Sequence, residues 1–147
     1  MKLFINATSL RSAGGRSVAL NFLSALEQGY HNVGVVACVP PNAGYKDVLE
    51  GGDLEICILP EHLDKSWLAP VVDQWWLPRR VRDYQPDAVF SMGNMAIPVT
   101  RPQLVLFMWP YAIYPESEIW DTMSFRDSAL RKLRRRYFRW TLQNATG

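Results

Sequence analysis

Residues 2–28 read KLFINATSLRSAGGRSVALNFLSALEQ, and this stretch decides the fold. It begins with a short apolar run of strand character, Lys2–Asn6, and ends with apolar residues at helical spacing within Arg16–Gln28. A polar loop that contains the adjacent glycines Gly14 and Gly15 joins the two segments. A strand that leads through a glycine loop into a helix is how α/β units begin, so we predict an α/β protein.

The same loop is a candidate anion site. Glycine lets a backbone come close to a ligand, and the N-terminus of a helix offers free N–H groups and a partial positive charge. The loop contains neither the G-x-G-x-x-G dinucleotide fingerprint nor the GK[ST] of a P-loop. From these residues alone, a phosphate site and a plain turn are equally good interpretations.

The rest of the chain repeats the alternation of strand and helix. The predicted strands are Lys2–Asn6, Val33–Val39, Leu54–Leu59, Ala88–Ser91 and Leu104–Met108. The predicted helices are Arg16–Gln28, Trp67–Tyr84 and Ser124–Gln143, with a short helical turn at Tyr45–Glu50. Most strands are continuous apolar runs, which is typical of a parallel sheet covered on both faces. We therefore predict a Rossmann-like, doubly wound parallel sheet flanked by helices, with the first strand central and ligands at the carboxyl ends of the strands.

Composition narrows the class of protein. A chain of 147 residues with 48% hydrophobic and 20% charged residues is typical of one globular domain. The sequence has no apolar run near the ~20 residues of a membrane span and no signal-peptide pattern, so we expect a cytoplasmic location. Cys38 and Cys57 lie in apolar runs and are predicted to be buried, reduced thiols. No spacing predicts a metal site, and no cofactor is expected.

Positive charge is concentrated at the C-terminal end. Residues 124–147 contain seven of the 16 Lys and Arg residues but one of the 14 acidic residues. Three interpretations stay open: a helix packed on the sheet with a solvated polar face, attachment to anionic lipid at the inner face of a membrane, or nucleic-acid binding. The acidic balance of the rest of the chain argues against nucleic acid. The predicted packed face holds Leu130, Leu133, Tyr137 and Trp140, and the lipid-facing candidates are Arg131, Arg135 and Arg139.

Four stretches together resemble one enzyme family. They are Asn6…Gly14-Gly15…Asn21-Phe-Leu, Asp73-Gln-Trp-Trp-Leu-Pro-Arg followed by Gln85-Pro-Asp-Ala-Val-Phe-Ser91, Gln103-Leu-Val-Leu-Phe-Met-Trp-Pro-Tyr-Ala-Ile-Tyr-Pro-Glu116, and Arg134-Arg-Arg-Tyr-Phe…Leu142-Gln-Asn-Ala145. In order and spacing they resemble the N-terminal half of GT-B glycosyltransferases of the retaining family 4 type. The resemblance covers nearly the whole chain, although each stretch alone is weak.

The resemblance implies an enzyme that moves a sugar from a nucleotide-sugar to a glycan or lipid-linked acceptor. Residues 1–147 would be the Rossmann-like, acceptor-side domain, and the donor-binding C-terminal domain would lie outside this chain, which alone would be inactive. The resemblance also places Gly14, Gly15 and Arg16 on the side of the donor phosphates. No catalytic acid or base is evident, so catalysis would depend on positioning and on electrostatic stabilisation of the departing phosphate.

The acceptor side is predicted from loops that follow two strands. Trp109 and Tyr111 lie in an aromatic loop with nearby carboxylates, a combination that suits sugar rings, and Asn94 could bind a hydroxyl group. The alternatives are aromatic residues that fill the core under a long loop, and a turn asparagine. The family often has a histidine where this chain has Met108 or Trp109, and methionine cannot replace its hydrogen bonds.

A second class of function also fits the sequence. The chain could be a stand-alone Rossmann-like module that binds a phosphorylated ligand or a protein partner. A second βαβ unit with paired glutamates encoded beyond residue 147 would favour the transferase.

Overall fold

The computed structural model describes residues 1–29, 32–49, 54–93, 95–108, 125–143 and 145. Strands and α-helices alternate along most of this part of the chain. In order they are β1 (Lys2–Asn6), α1 (Ala13–Gly29), β2 (Gly34–Val39), α2 (Tyr45–Leu49), β3 (Glu55–Ile58), α3 (Ala69–Val71), α4 (Leu77–Tyr84), β4 (Ala88–Ser91), β5 (Gln103–Val105) and α5 (Phe125–Leu142).

The strands form one parallel sheet in the order β3-β2-β1-β4-β5. The central strand is β1, as predicted, and its Ile5 pairs with Ala37 on one side and Phe90 on the other. The continuous apolar runs therefore mark buried parallel strands, and the fold is α/β and Rossmann-like.

Both faces of the sheet are covered by apolar side chains. Because successive side chains of a strand alternate between faces, Ile5 and Phe4 of β1 lie in different clusters. Ile5 packs with Leu23 of α1, and Phe4 packs with Val81 of α4. These four side chains are 3% exposed or less, and burying each one stabilises the fold by about 1.5–3 kcal/mol.

The segment between β3 and β4 is one helical stretch of changing geometry. A 3₁₀ turn, Ser66–Leu68, leads into α3, which is followed by a π-helix, Val72–Trp76, and then by α4. The presence of Pro78 within the predicted helix Trp67–Tyr84 predicts a kink or a division after Trp76–Leu77, and the helix changes from π- to α-geometry between these two residues. Pro78 has no N–H to donate to the preceding turn, so the helix changes its hydrogen bonding there.

Other predicted bounds need correction. The helix α1 begins at Ala13 rather than Arg16, so Gly14 and Gly15 belong to its first turn. The predicted strand Leu104–Met108 is wrong in extent, because β5 pairs with β4 only over Gln103–Val105. The apolar residues Leu106–Met108 continue past that ladder. Leu106 and Met108 are apolar because they pack against the core cluster, not because they belong to a strand.

The crossover from β4 to β5 has a buried amide at its centre. Gln103 is 3% exposed, and its side-chain NH₂ donates to the carbonyl of Ile97 at 2.9 Å. Its Oε1 accepts from the N–H of Ile97 at 2.9 Å and from the Ser91 hydroxyl at 3.1 Å. The Gln103 side chain thus supplies hydrogen-bond partners to the buried backbone of Ile97, as a regular helix would do within its own backbone.

Cys38 and Cys57 are register neighbours on β2 and β3 and are both free thiols. Cys38 is buried as predicted, whereas Cys57 is only half-buried. Across the described ranges, no helix is both long and apolar enough to cross a membrane.

Candidate functional site

A cavity of about 700 Å³ lies at the carboxyl ends of the parallel strands. This is the edge where α/β sheets bind ligands, because the connecting loops diverge there. The last residue of β1, Asn6, lines the cavity together with Thr8 and Arg11 of the loop that follows, and the loop after β4 supplies Gly93. The helical stretch after β3 and the helix α5 complete the walls, which are largely apolar.

The end of β1 is held by its own side chain. Oδ1 of Asn6 accepts from the Thr8 N–H at 3.2 Å and from the Thr8 hydroxyl at 2.8 Å. Since a backbone N–H can only donate, these bonds fix the amide with its oxygen toward Thr8. The Nδ2 group of Asn6 has no acceptor among the described residues, although the side chain is only 3% exposed.

Two long-range bonds hold the rest of this loop. Arg11 donates from Nε to Oδ1 of Asp64 at 2.6 Å, which joins the loop to the segment after β3. The Tyr45 hydroxyl donates to the carbonyl of Leu10 at 2.7 Å. The wall formed by residues 8–11 is therefore anchored on two sides.

Gly93 lets the loops after β1 and β4 meet. A Cβ atom at this position would collide with the Oγ of Ser9. Glycine therefore suits this close approach, because a Cβ atom here would force the Ser9 side chain to move and would lie only 3.3 Å from its Cβ atom.

Asp73 is the unusual group of the cavity. It lies in the π-helix, is 7% exposed and lines the cavity. No described residue donates a hydrogen bond to its carboxylate or forms an ion pair with it. Burial without a partner raises its pKa from 3.8 to about 7.

Tyr137 of α5 lines the cavity beside Asp73. Its hydroxyl accepts from Nε2 of Gln74 at 3.2 Å, so its own proton remains free to be donated elsewhere. The pKa of Tyr137 is raised, first by burial and also by the negative charge of Asp73. The bond to Gln74 joins α5 to the π-helix.

The face of α5 that packs on the domain differs from the predicted one. Phe138 and Thr141 are buried, and the ring of Phe138 lies 4.8 Å from that of Phe107. Three residues of the predicted packed face, Leu130, Leu133 and Trp140, are instead 57%, 67% and 51% exposed. The spacing of apolar residues predicted the helix correctly. The face that packs is the neighbouring one, because Phe138 packs against Phe107 beyond the end of β5.

The predicted donor-phosphate residues lie at the start of α1 and do not line this cavity. A Cβ atom on Gly14 would meet nothing within 4 Å, whereas one on Gly15 would lie 3.2 Å from Cδ2 of Leu10. Arg16 donates from Nε to the carbonyl of Ala43 at 2.5 Å. Gly14 therefore lies at an open surface, and Arg16 stabilises the loop after β2 through its hydrogen bond to Ala43.

The predicted acceptor residues Asn94, Trp109 and Tyr111 lie outside the described residues. Met108, one of the two positions at which the resembling family often has a histidine, is half-buried and packs against the cluster that contains Ile5. Of the predicted lipid-facing residues, Arg139 is exposed, and Arg131 and Arg135 are half-buried. The described part of the chain contains no cluster of His, Cys, Asp or Glu that could hold a metal ion.

Comparison of the chain with protein-family models, with curated proteins and with solved structures found no match. The fold and the cavity are therefore the observations from which a function can be inferred.

Asp73 was not predicted as a site residue, although it lies in the stretch Asp73-Gln-Trp-Trp that resembles the family. The available signal was that Asp73 is the single charged residue from Val71 to Leu77, where every other residue except Gln74 is apolar or aromatic. A charge in such a run must either be partnered or line a cavity.

Proposed function

We propose that this chain is the acceptor-side domain of a retaining GT-B glycosyltransferase that moves a sugar from a nucleotide-sugar to a glycan or lipid-linked acceptor. The observation that carries the proposal is the cavity of about 700 Å³ at the carboxyl ends of the strands. Its size suits one or two sugar rings, and its position is the usual ligand edge of such a sheet.

The chemistry of the walls supports a saccharide ligand. Asn6, Thr8 and Asp73 offer amide, hydroxyl and carboxylate groups, while Trp67 and Tyr137 offer aromatic rings. Sugars present hydroxyl groups and apolar C–H faces, so a mixture of polar groups and rings fits them.

The start of α1 supports a separate role on the donor side. Gly14 is exposed with free space around its Cα, and it lies in the first turn of a helix of 17 residues. In a two-domain transferase this turn would face the phosphates of the donor, and the N–H groups there would bind them. A second domain would bind the nucleotide.

The proposal is tested by screening for nucleotide release. The protein encoded by the complete reading frame would be incubated with each common nucleotide-sugar and a panel of acceptors. We expect acceptor-stimulated release of nucleotide from one donor class, and none from residues 1–147 alone. If the complete protein releases nucleotide from no donor, the transferase proposal fails.

The alternative of a phosphate-binding module is favoured by the same open helix start. It predicts that residues 1–147 bind a sugar phosphate or nucleotide without any turnover. Chemical shifts of the Gly14 and Gly15 amides during titration with inorganic phosphate would reveal such binding.

We also propose that α5 attaches the enzyme to an anionic membrane surface. The exposed side chains of Trp140, Leu142 and Arg139, which lie outside the cavity, combine aromatic, apolar and cationic groups, as interfacial helices do. Binding to vesicles that contain anionic lipid should decrease as salt increases, and Leu142→Ser should weaken it. Val48→Ser, an exposed apolar residue of α2, is the matched control. Absence of binding at low salt would reject the membrane proposal.

A further inference from the structure

Two polar groups on the cavity wall have complementary hydrogen-bonding capacity: one is an acceptor and the other a donor. The carboxylate of Asp73 accepts hydrogen bonds and has no donor among the described residues. The Nδ2 group of Asn6 donates hydrogen bonds and has no acceptor in that same part of the chain. Both residues line the cavity, so a molecule that enters it can supply the partner that each group lacks among the described residues.

We propose that Asn6 and Asp73 form the recognition pair of this cavity and bind hydroxyl groups of one neutral saccharide, Asp73 as acceptor and Asn6 as donor. The proposal rests on the transferase function above and names the residues that would hold its acceptor. A hydroxyl group both donates and accepts, so one ligand class can satisfy both side chains.

Charge in the cavity argues against ionic ligands. An anion would meet the Asp73 carboxylate inside a poorly solvated space, and the guanidinium of Arg11, which also lines the cavity, is already paired with Asp64. A cation would leave the Asn6 donor without an acceptor. A neutral hydroxylated ring avoids both penalties.

The surroundings of the pair favour a ring over a linear polyol. The Tyr137 hydroxyl accepts from Gln74 and keeps its own proton for a further acceptor. Trp67 is 72% exposed and lines the cavity, so its ring can stack on the C–H face of a sugar without rearrangement of the core.

The test uses residues 1–147 and a panel of methyl glycosides of common hexoses, together with myo-inositol. Saturation-transfer NMR identifies the sugars that bind, and protein chemical shifts give the Kd. Asp73→Asn removes the negative charge with little change in shape. Asn6→Asp keeps the oxygen that accepts from Thr8 but replaces the donor. We expect each change to weaken binding about tenfold or more. Asp47→Asn, an exposed residue of α2 outside this cavity, is the control and should leave binding unchanged.

Two readouts keep folding apart from recognition. Asp73→Asn should keep the native spectrum and should not lower the Tm, since the carboxylate has no described partner to lose. Unchanged affinity in both variants would overturn the proposal, as would a folded wild-type chain that binds no saccharide of the panel. Binding of cyclohexylamine but of no sugar would also overturn it, because the site would then take cations.

The outcome is separable from that of the transferase proposal. Saccharide binding that both variants weaken, with no nucleotide release from the complete protein, would retain the recognition pair and reject the transferase. Nucleotide release that both variants leave unchanged would retain the transferase and reject the pair.

Discussion

Gln103 and Asp73 are both buried polar side chains close to strand ends, and they differ in one respect. Gln103 is 3% exposed, and its hydrogen bonds include two to Ile97 and one to Ser91. Asp73 is 7% exposed and makes none with the described residues. A satisfied buried group stabilises the fold, whereas an unsatisfied one reduces stability unless a ligand binds it. Gln103 therefore stabilises the fold, whereas Asp73 is available to bind a ligand in the cavity.

The largest expected effect is a pH dependence that belongs to Asp73. Its pKa is about 7 in the folded chain and 3.8 ordinarily, so the folded state binds a proton more tightly than the unfolded state. Its contribution is therefore most favourable below pH 4, declines as pH rises to about 7, and is constant above that. The change corresponds to about 4 kcal/mol.

Urea unfolding of wild type and Asp73→Asn at pH 4 and pH 8 measures this contribution. We expect the wild type to lose stability relative to the variant as pH rises. Asp87→Asn, an exposed residue that accepts from the Lys2 N–H, is the comparison for an ordinary surface carboxylate. An equal difference between wild type and Asp73→Asn at both pH values would contradict the prediction.

The second effect is destabilisation by Gln103→Leu. The change removes three hydrogen bonds and leaves the N–H and carbonyl of Ile97 unpaired, which costs about 3 kcal/mol. Gln28→Leu, on the exposed side of α1, should change stability by less than about 0.5 kcal/mol. Comparable losses in the two variants would show that Gln103 has no special role in the crossover.

A third test concerns the contact between the two cavity walls. Gly93→Ala should destabilise the chain by about 1–3 kcal/mol, because the added Cβ atom meets Ser9. The double variant Ser9→Gly with Gly93→Ala should recover most of that loss. If the double variant is as unstable as Gly93→Ala alone, contact with the Ser9 side chain is not the cause of the destabilisation.

The smallest effect is expected at Gly14. A methyl group there meets nothing within 4 Å, and alanine favours a helix, so Gly14→Ala should raise stability by about 0.5–1 kcal/mol. In the complete protein the same change should lower nucleotide release if phosphate lies against this turn. Higher stability with unchanged release would leave Gly14 as a residue of the helix start alone.

Local pattern predicted most of the architecture. β1 and β4 have the predicted bounds, and the central position of β1 and the change of helix geometry next to Pro78 are confirmed. The errors are at places where packing competes with local signals. Leu106–Met108 are as apolar as a strand but lie beyond the ladder that β5 forms with β4, and the stripe of α5 that packs is not the most apolar one.

The candidate site was predicted less well, for a physical reason. Glycines and aromatic residues next to strands are visible in a sequence, and they directed attention to Gly14–Arg16, Asn94, Trp109 and Tyr111. The partners of a buried carboxylate are not visible, because they depend on residues far apart along the chain. Asp73 meets Asn6 at one cavity only because β1 ends, and the helical stretch after β3 begins, at the same edge of the sheet.

Local sequence patterns were enough to predict the fold class, the central position of β1 and the helical character of the segment Phe125–Leu142, because apolar periodicity and turn residues act locally. The order of the other strands, the side chains that share the cavity, the face of α5 that packs and the absence of a donor to Asp73 among the described residues became visible in the folded chain alone. Burial and hydrogen-bond pairing are properties of residues brought together from distant positions, and they exist only once the sheet has formed.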